Sequence, residues 1–231
     1  MAPVGLANPG DPDAAYAAAI DVAGAHQSSY GREAAAVLAA MVAASVAPGA
    51  TVADVVEAAL RLSHDGTRAA IEACAAAGAV FGRPADDEQA RELGRAIREA
   101  VAPYDSVGPE YRAMSMDARR PSRTKAIEEL PVAVGFVVAH QGDFRGAVLG
   151  AVNYGRDADS IAVMAGAVCA GLGGTQVVPN EWLDRIETAS RMDIRATGAL
   201  MAEVAAALVE ADRRRAEDRL AQLARIAEAS V

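Results

Sequence analysis

The residues best suited to chemistry are two carboxylates and a hydroxyl that stand close together, Asp157, Asp159 and Ser160. They precede an apolar run over 161–172, which predicts a buried helix because no side of it is polar. Carboxylates at the start of a buried helix need partners, since an unpaired charge is costly to remove from water. Oxygen donors of this kind suit Mg²⁺, Mn²⁺ or Ca²⁺ better than Zn²⁺. The pattern therefore suggests a site for a hard divalent cation.

A simpler interpretation of the same residues remains open. Asp157 can act as the N-cap of the helix and accept hydrogen bonds from its first amides. Asp159, in the first turn, is then favoured by the positive end of the helix dipole. The Asp-x-Asp-Ser spacing alone does not separate this structural role from a role in binding a cation.

The run 153–160 resembles the C-terminal signature of the ADP-ribosylglycohydrolase family. The shared features are an Asn, a Gly and an Asp-x-Asp-Ser run, followed by a helix of small residues. The resemblance spans roughly residues 3 to 190, and 153–182 is its most specific part. Further matching segments are 26–31, 129–131, 164–167, 171–174 and 178–182.

The resemblance implies an all-α fold, a compact orthogonal multi-helix bundle. It also implies a binuclear Mg²⁺ or Mn²⁺ centre that hydrolyses an N- or O-glycosidic bond to ADP-ribose, with ADP-ribose itself or an ADP-ribosylated molecule as the partner. On this basis Asp157 and Asp159 are catalytic, and they ligate the metal together with Ser160. The residues expected to contact the substrate are His26, Ser28, Ser29, Gly31, Asn153 and Gly155.

The sequence departs from the family in its first part. Family members also carry an N-terminal third with a Ser/Thr-Asp-Asp motif, which supplies the other metal ligands. Here Asp86-Asp87 is the only adjacent aspartate pair, and it is typical of a helix cap. We therefore expect one domain over 1–231 that is N-terminally truncated relative to the family, with a helical extension over 193–231. Such a chain would hold one metal ion or none by itself.

Two other functions remain open beside the hydrolase. The chain could be a catalytically inactive helical binding or scaffold protein that keeps the fold, or a related metal-dependent glycosidase acting on a nucleoside. A missing N-terminal third also predicts an exposed apolar surface, at which the chain would self-associate or bind a partner chain.

Composition agrees with a helical, globular protein. Hydrophobic residues make up 52% of the 231 residues and aromatic residues only 4%, with Ala the commonest apolar type, which favours helices over sheets. A net charge of −9 argues against nucleic-acid binding. The longest apolar run has 12 residues, too few to cross a membrane, and no signal peptide is visible, so we expect a cytoplasmic protein. Cys74 and Cys169 lie in apolar runs and are expected to be buried, reduced thiols.

Capping residues and helix breakers divide the chain into helices. Caps are predicted at Asp11, Asp143 and Asp157, and a capping box at Thr51 with Asp54. The segment 103–124 is predicted to be irregular, and Pro131 is predicted to kink a helix over 125–139 or to begin a new segment. The expected helices cover about 12–25, 31–46, 51–63, 66–78, 86–101, 125–139, 143–152 and 157–172, a short helix from 180, and one or two helices over 194–229.

Overall fold

The computed structural model describes residues 1–104 and 126–229. Within these residues the chain forms α-helices and no strand, so the predicted all-α class is confirmed. The helices are α1 Ala2–Leu6, α2 Pro12–Ala23, α3 Ser29–Ser45, α4 Val52–Leu62, α5 Asp65–Phe81, α6 Asp87–Val101, α7 Ala126–Ala139, α8 Phe144–Tyr154, α9 Ala158–Gly173, α10 Asn180–Ser190 and α11 Ile194–Ala229.

Side-chain caps set the beginnings of several helices, as the sequence predicts. The Asp11 side chain accepts from the first turn of α2, and Asp143 does the same for α8. Thr51 and Asp54 form the predicted capping box at α4. Asp86 accepts from the third residue of α6, which confirms that the aspartate pair there serves as a cap. Each bond satisfies an amide that has no partner within its helix.

Helix α7 runs through Pro131 without interruption from Ala126 to Ala139, so the prediction of a new segment at this proline is wrong. Every residue over 127–137 is buried, and neighbouring helices enclose the position at which proline removes one backbone hydrogen bond. The tail over 194–229 forms one helix. The predicted irregular segment lies outside the described residues from residue 105 onward.

Helices α5 and α7 lie side by side, in parallel, at backbone contact. A Cβ at Gly78 would overlap the carbonyl oxygen of Gly135, and a Cβ at Gly135 would lie 3.1 Å from the carbonyl oxygen of Cys74. At their beginnings, a Cβ at Gly66 would lie 3.3 Å from Ile127 Cδ1. The order of these contacts shows that both helices start at the same end of the bundle.

The start of α3 reaches this same end. The Tyr30 hydroxyl lies 3.1 Å from the position of a Cβ at Gly66. At the opposite end of α3, a Cβ at Gly171 of α9 would overlap the Ser45 hydroxyl, so α3 and α9 meet where both helices finish. The N-terminal turns of α3, α5 and α7 therefore lie together at one end of the bundle.

Both cysteines are free and buried, as predicted. Burial raises the pKa of Cys74 to about 12, and it raises the pKa of Cys169 to about 12 as well. Among the described residues, no helix combines the length and the apolar composition that a membrane span requires.

Candidate functional site

A tight left-handed turn joins α8 to α9. Gly155 has φ +81° and Arg156 has φ +56°. Glycine adopts this conformation freely, whereas a residue with a side chain pays about 1–2 kcal/mol for it. The turn fixes the direction from which Asp157 enters α9.

A buried ion pair holds this turn in place. Arg156 Nε lies 2.7 Å from Glu128 Oε1, and the two side chains are only 11% and 1% exposed. Glu128 belongs to the first turn of α7, so the pair connects the start of α7 to the start of α9. Loss of either partner would leave an uncompensated buried charge, so the two side chains hold each other in this arrangement.

Tyr154 extends the same cluster. Its hydroxyl donates to Glu128 Oε1 over 3.0 Å, and its ring packs edge-on against Phe136. The Arg98 guanidinium of α6 lies over the ring, 4.5 Å from its centroid. Burial, followed by the charge of Glu128, raises the pKa of Tyr154 above its usual range, so the phenol stays a hydrogen-bond donor.

The acidic pair opens α9 directly after this turn. Asp157 is the N-cap residue, but its side chain makes no hydrogen bond to the amides of the first turn, so the predicted side-chain cap is wrong. Its backbone, with φ −90° and ψ 56°, is outside the extended region that a capping side chain normally requires. Asp157 and Ser160 are half-buried and Asp159 is exposed.

The segment 26–31 lies at the same end of the bundle. His26, Ser28 and Ser29 are exposed, and Gly31 is half-buried. A series of neighbouring residues connects this segment to the acidic pair along the starts of α3, α5 and α7. In order, the residues along it are Tyr30, Gly66, Ile127, Glu128 and Arg156.

One further carboxylate, Glu33, ties the start of α3 to the start of α5. Glu33 Oε1 accepts from the His64 backbone amide over 2.9 Å and lies 2.9 Å from His64 Nδ1. Its other oxygen accepts from the Thr67 hydroxyl. The Glu33 side chain is only 16% exposed, so these bonds fix its position.

A family model described as ADP-ribosylglycohydrolase matches residues 1–222. The chain belongs to the ADP-ribosylglycohydrolase family. Neither a search of curated proteins nor a search of solved structures found a match. Membership places this chain in a family of hydrolases, and the all-α architecture is the one this family has.

In this ADP-ribosylglycohydrolase family member, the predicted metal ligands form a small donor set. Asp157, Asp159 and Ser160 offer two carboxylates and a hydroxyl at the N-cap and in the first turn of α9. Within residues 1–104 and 126–229, no three His, Cys, Asp or Glu side chains are grouped so that they could hold a metal ion. Two carboxylates and a hydroxyl are donors of the type that Mg²⁺ and Mn²⁺ accept.

Glu33 and Glu128 are the residues at this end that sequence reasoning misses. Glu128 lies in an apolar stretch next to the Glu-Leu-Pro segment that resembles the family. A glutamate in such a stretch is unusual, and this was the only feature of the sequence that could have indicated a buried, paired carboxylate. Glu33 had no local signal, because its partners His64 and Thr67 lie on another helix. Asn153, predicted to bind substrate, is exposed at the end of α8 and lines a groove between α6 and α8.

Proposed function

We propose that this chain hydrolyses an N- or O-glycosidic bond to ADP-ribose at the end of the bundle where α3, α5, α7 and α9 begin. The observation that carries the proposal is the arrangement of the acidic pair within a family member. Asp157 stands at the N-cap of α9 without capping its amides, and Asp159 is accessible beside it. The resemblance to the family signature is what gives both carboxylates a role in the reaction.

The surroundings of the acidic pair support the assignment. Four helix N-termini at one end concentrate positive partial charge there, which favours carboxylates and other anions. The buried pair of Glu128 with Arg156 fixes the turn from which Asp157 projects. A rigid turn is what a binding geometry requires, because a loosely held ligand group loses affinity and rate.

In the proposed reaction the bond between the anomeric carbon of the ribose and a nitrogen or oxygen atom breaks. Water supplies a hydroxyl group to the carbon and a proton to the departing atom. Asp157, Asp159 and Ser160 would hold one Mg²⁺ or Mn²⁺, and a bound ion of this kind supplies Lewis-acid polarisation of ribose hydroxyls or water. Exposed polar groups of the 26–31 segment, His26, Ser28 and Ser29, would contact the ribose.

A specific observation favours a second candidate, a protein that binds ADP-ribose without cleaving it. Among the described residues no three His, Cys, Asp or Glu side chains are grouped so that they could hold a metal ion, whereas the resemblance implies a pair of ions. A non-catalytic binding protein would keep the groove and the helix starts and would show no turnover. A nucleoside glycosidase is the remaining alternative, and it differs in accepting substrates without phosphate.

The first experiment measures release of ADP-ribose from ADP-ribosylated protein and from small ADP-ribosyl conjugates, with Mg²⁺ or Mn²⁺ and after chelation with EDTA. We expect release that depends on metal and is reduced at least 100-fold in Asp157→Asn. Asp212→Asn, which removes one exposed carboxylate from α11, is the matched control and should leave release unchanged.

Calorimetric titration of Mn²⁺ separates the candidates. Saturable binding of metal with turnover supports the hydrolase, and binding of ADP-ribose without turnover supports the binding protein. Turnover of adenosine-type nucleosides without ADP-ribose release would favour the glycosidase. Equal release by the wild type and by Asp157→Asn would refute the assigned role of that carboxylate.

A further inference from the structure

A groove of about 590 Å³ lies between α6 and α8. The α6 wall presents Arg91, Arg95 and Arg98, and the α8 wall presents Asn153 and Tyr154. Arg91 and Arg95 are exposed and Arg98 is half-buried over the Tyr154 ring. The groove thus has cationic side chains along one wall and an amide and a phenol on the other.

The charge of this groove is opposite to that of the whole chain. Three guanidinium groups face one lining carboxylate, Asp87, although the net charge of the protein is −9. The arginines follow one another at spacings of four and three residues and therefore share one face of α6. The glutamates of this helix fall on a neighbouring face and do not line the groove: Glu88, Glu92 and Glu99. Glu92 lies 3.8 Å from Arg95, and both side chains are exposed, so this pair is screened by water and leaves the Arg95 guanidinium available.

A glycine on each wall shapes the groove, Gly94 on α6 and Gly150 on α8. A Cβ at Gly94 of α6 would meet nothing within 4 Å, so this position opens directly into the groove. Across from it, Gly150 lies against Phe136, whose ring a Cβ would approach to 2.7 Å. The α8 backbone therefore packs tightly on its inner side and leaves its outer side to the groove.

The groove lies next to the acidic pair. Tyr154 lines it and precedes Asp157 by three residues, so their Cα atoms are at most about 11 Å apart. Tyr154 also donates to Glu128, which holds Arg156 in the turn before Asp157. A ligand in the groove therefore has one end close to the start of α9.

We propose that this groove binds the diphosphate of a nucleotide. Guanidinium groups bind phosphate oxygens in pairs and keep their charge at every physiological pH. Arg91 and Arg98 are about 10 Å apart along the helix axis, a span that accommodates two adjacent phosphates. The identification of the nucleotide as the ADP-ribosyl group of the substrate rests on the proposed function, whereas the binding of a diphosphate does not.

The test is calorimetric titration of the whole chain with ADP, inorganic pyrophosphate and adenosine. We expect ADP and pyrophosphate to bind and adenosine to bind at least tenfold more weakly than ADP. The double variant Arg91→Gln/Arg95→Gln should lower ADP affinity at least tenfold. The matched control Arg185→Gln/Arg214→Gln removes two exposed positive charges elsewhere and should change it less than twofold.

A second variant tests the groove without changing its charge. Gly94→Leu should fold, because its side chain enters open space, and it should also lower ADP affinity at least tenfold. Unchanged ADP affinity in both groove variants, or equal binding of adenosine and ADP, would overturn the proposal. Absence of saturable binding of both ADP and pyrophosphate would overturn it as well.

The two proposals fail separately. If ADP binds in the groove but ADP-ribose is never released, the groove assignment stands and the hydrolase assignment falls. If release occurs and its KM is the same in the wild type and in Arg91→Gln/Arg95→Gln, the hydrolase assignment stands and the groove assignment falls.

Discussion

At the residue scale, the ion pair of Glu128 with Arg156 is the feature on which the candidate site depends. Its oxygen and nitrogen are 2.7 Å apart, and both side chains are shielded from water. The charge of one partner alone would remain in a poorly solvated place, which is costlier than losing an attraction at the surface. The pair also keeps Arg156 in a left-handed conformation that few side chains adopt.

We therefore expect Glu128→Gln to lower the free energy of unfolding by about 3 kcal/mol. Glu72→Gln breaks the exposed pair of Glu72 with Arg68 on α5 and should cost no more than about 0.5 kcal/mol. Urea unfolding followed by circular dichroism measures both values. In the double variant Glu128→Gln/Arg156→Gln, the loss should be smaller than the sum of the two single losses.

A comparison of Asp143 with Asp157 shows how far sequence reasoning reaches at this scale. Each aspartate precedes a helix, and the sequence predicts a side-chain cap at both. Asp143 makes that bond from an extended backbone, whereas Asp157 follows the turn through Gly155 and Arg156 and makes no such bond. The turn before Asp157 is tied to Glu128, a residue distant in the sequence, and local patterns do not contain that contact.

At the element scale, parallel packing of α5 and α7 sets the positions of the helix starts. Their glycines permit backbone contact that any side chain would prevent. The sequence predicts both helices and nearly their bounds, since Ala-rich runs and helix breakers are local features. The direction of the packing is not local information, and the convergence of α3, α5, α7 and α9 at one end could not be predicted from the pattern.

Replacement of a helix-interior glycine by alanine should change the free energy of unfolding in opposite directions at two positions. Gly78→Ala should lower the free energy of unfolding by about 1–3 kcal/mol, because the added methyl overlaps the Gly135 carbonyl. Gly94→Ala should raise it by about 0.5–1 kcal/mol, because its methyl meets nothing and the helix gains propensity. Chemical denaturation of the two variants gives the comparison, and a similar sign for both would contradict the packing of α5 on α7.

At the scale of the whole molecule, α11 carries a long series of apolar side chains that are open to solvent. It has 36 residues, a length of about 54 Å, and it contacts α1 near its beginning. Apolar side chains continue along it well beyond that contact. Those that are exposed are Leu200, Val204, Leu208, Val209, Leu220, Leu223 and Ile226.

We expect the chain to self-associate through this helix, since exposed apolar surface of this extent favours contact between molecules. Sedimentation velocity over a 100-fold concentration range should show a species larger than the monomer. Leu220→Lys/Leu223→Lys should shift it to monomer, whereas Ala221→Lys/Gln222→Lys adds the same charge on the other side of α11 and should not. A monomer at every concentration would contradict the expectation.

The backbone contact between α5 and α7 also limits how the candidate site can adapt. Close backbone contact between α5 and α7 resists sliding of one helix along the other, because packed interiors have no free volume for it. We therefore expect Thr67 on α5 and Glu128 on α7 to move together. Any adjustment to ligands of different size must then come from side-chain rotation and from the turn before α9. The packed starts of α5 and α7 would therefore select ligands by size.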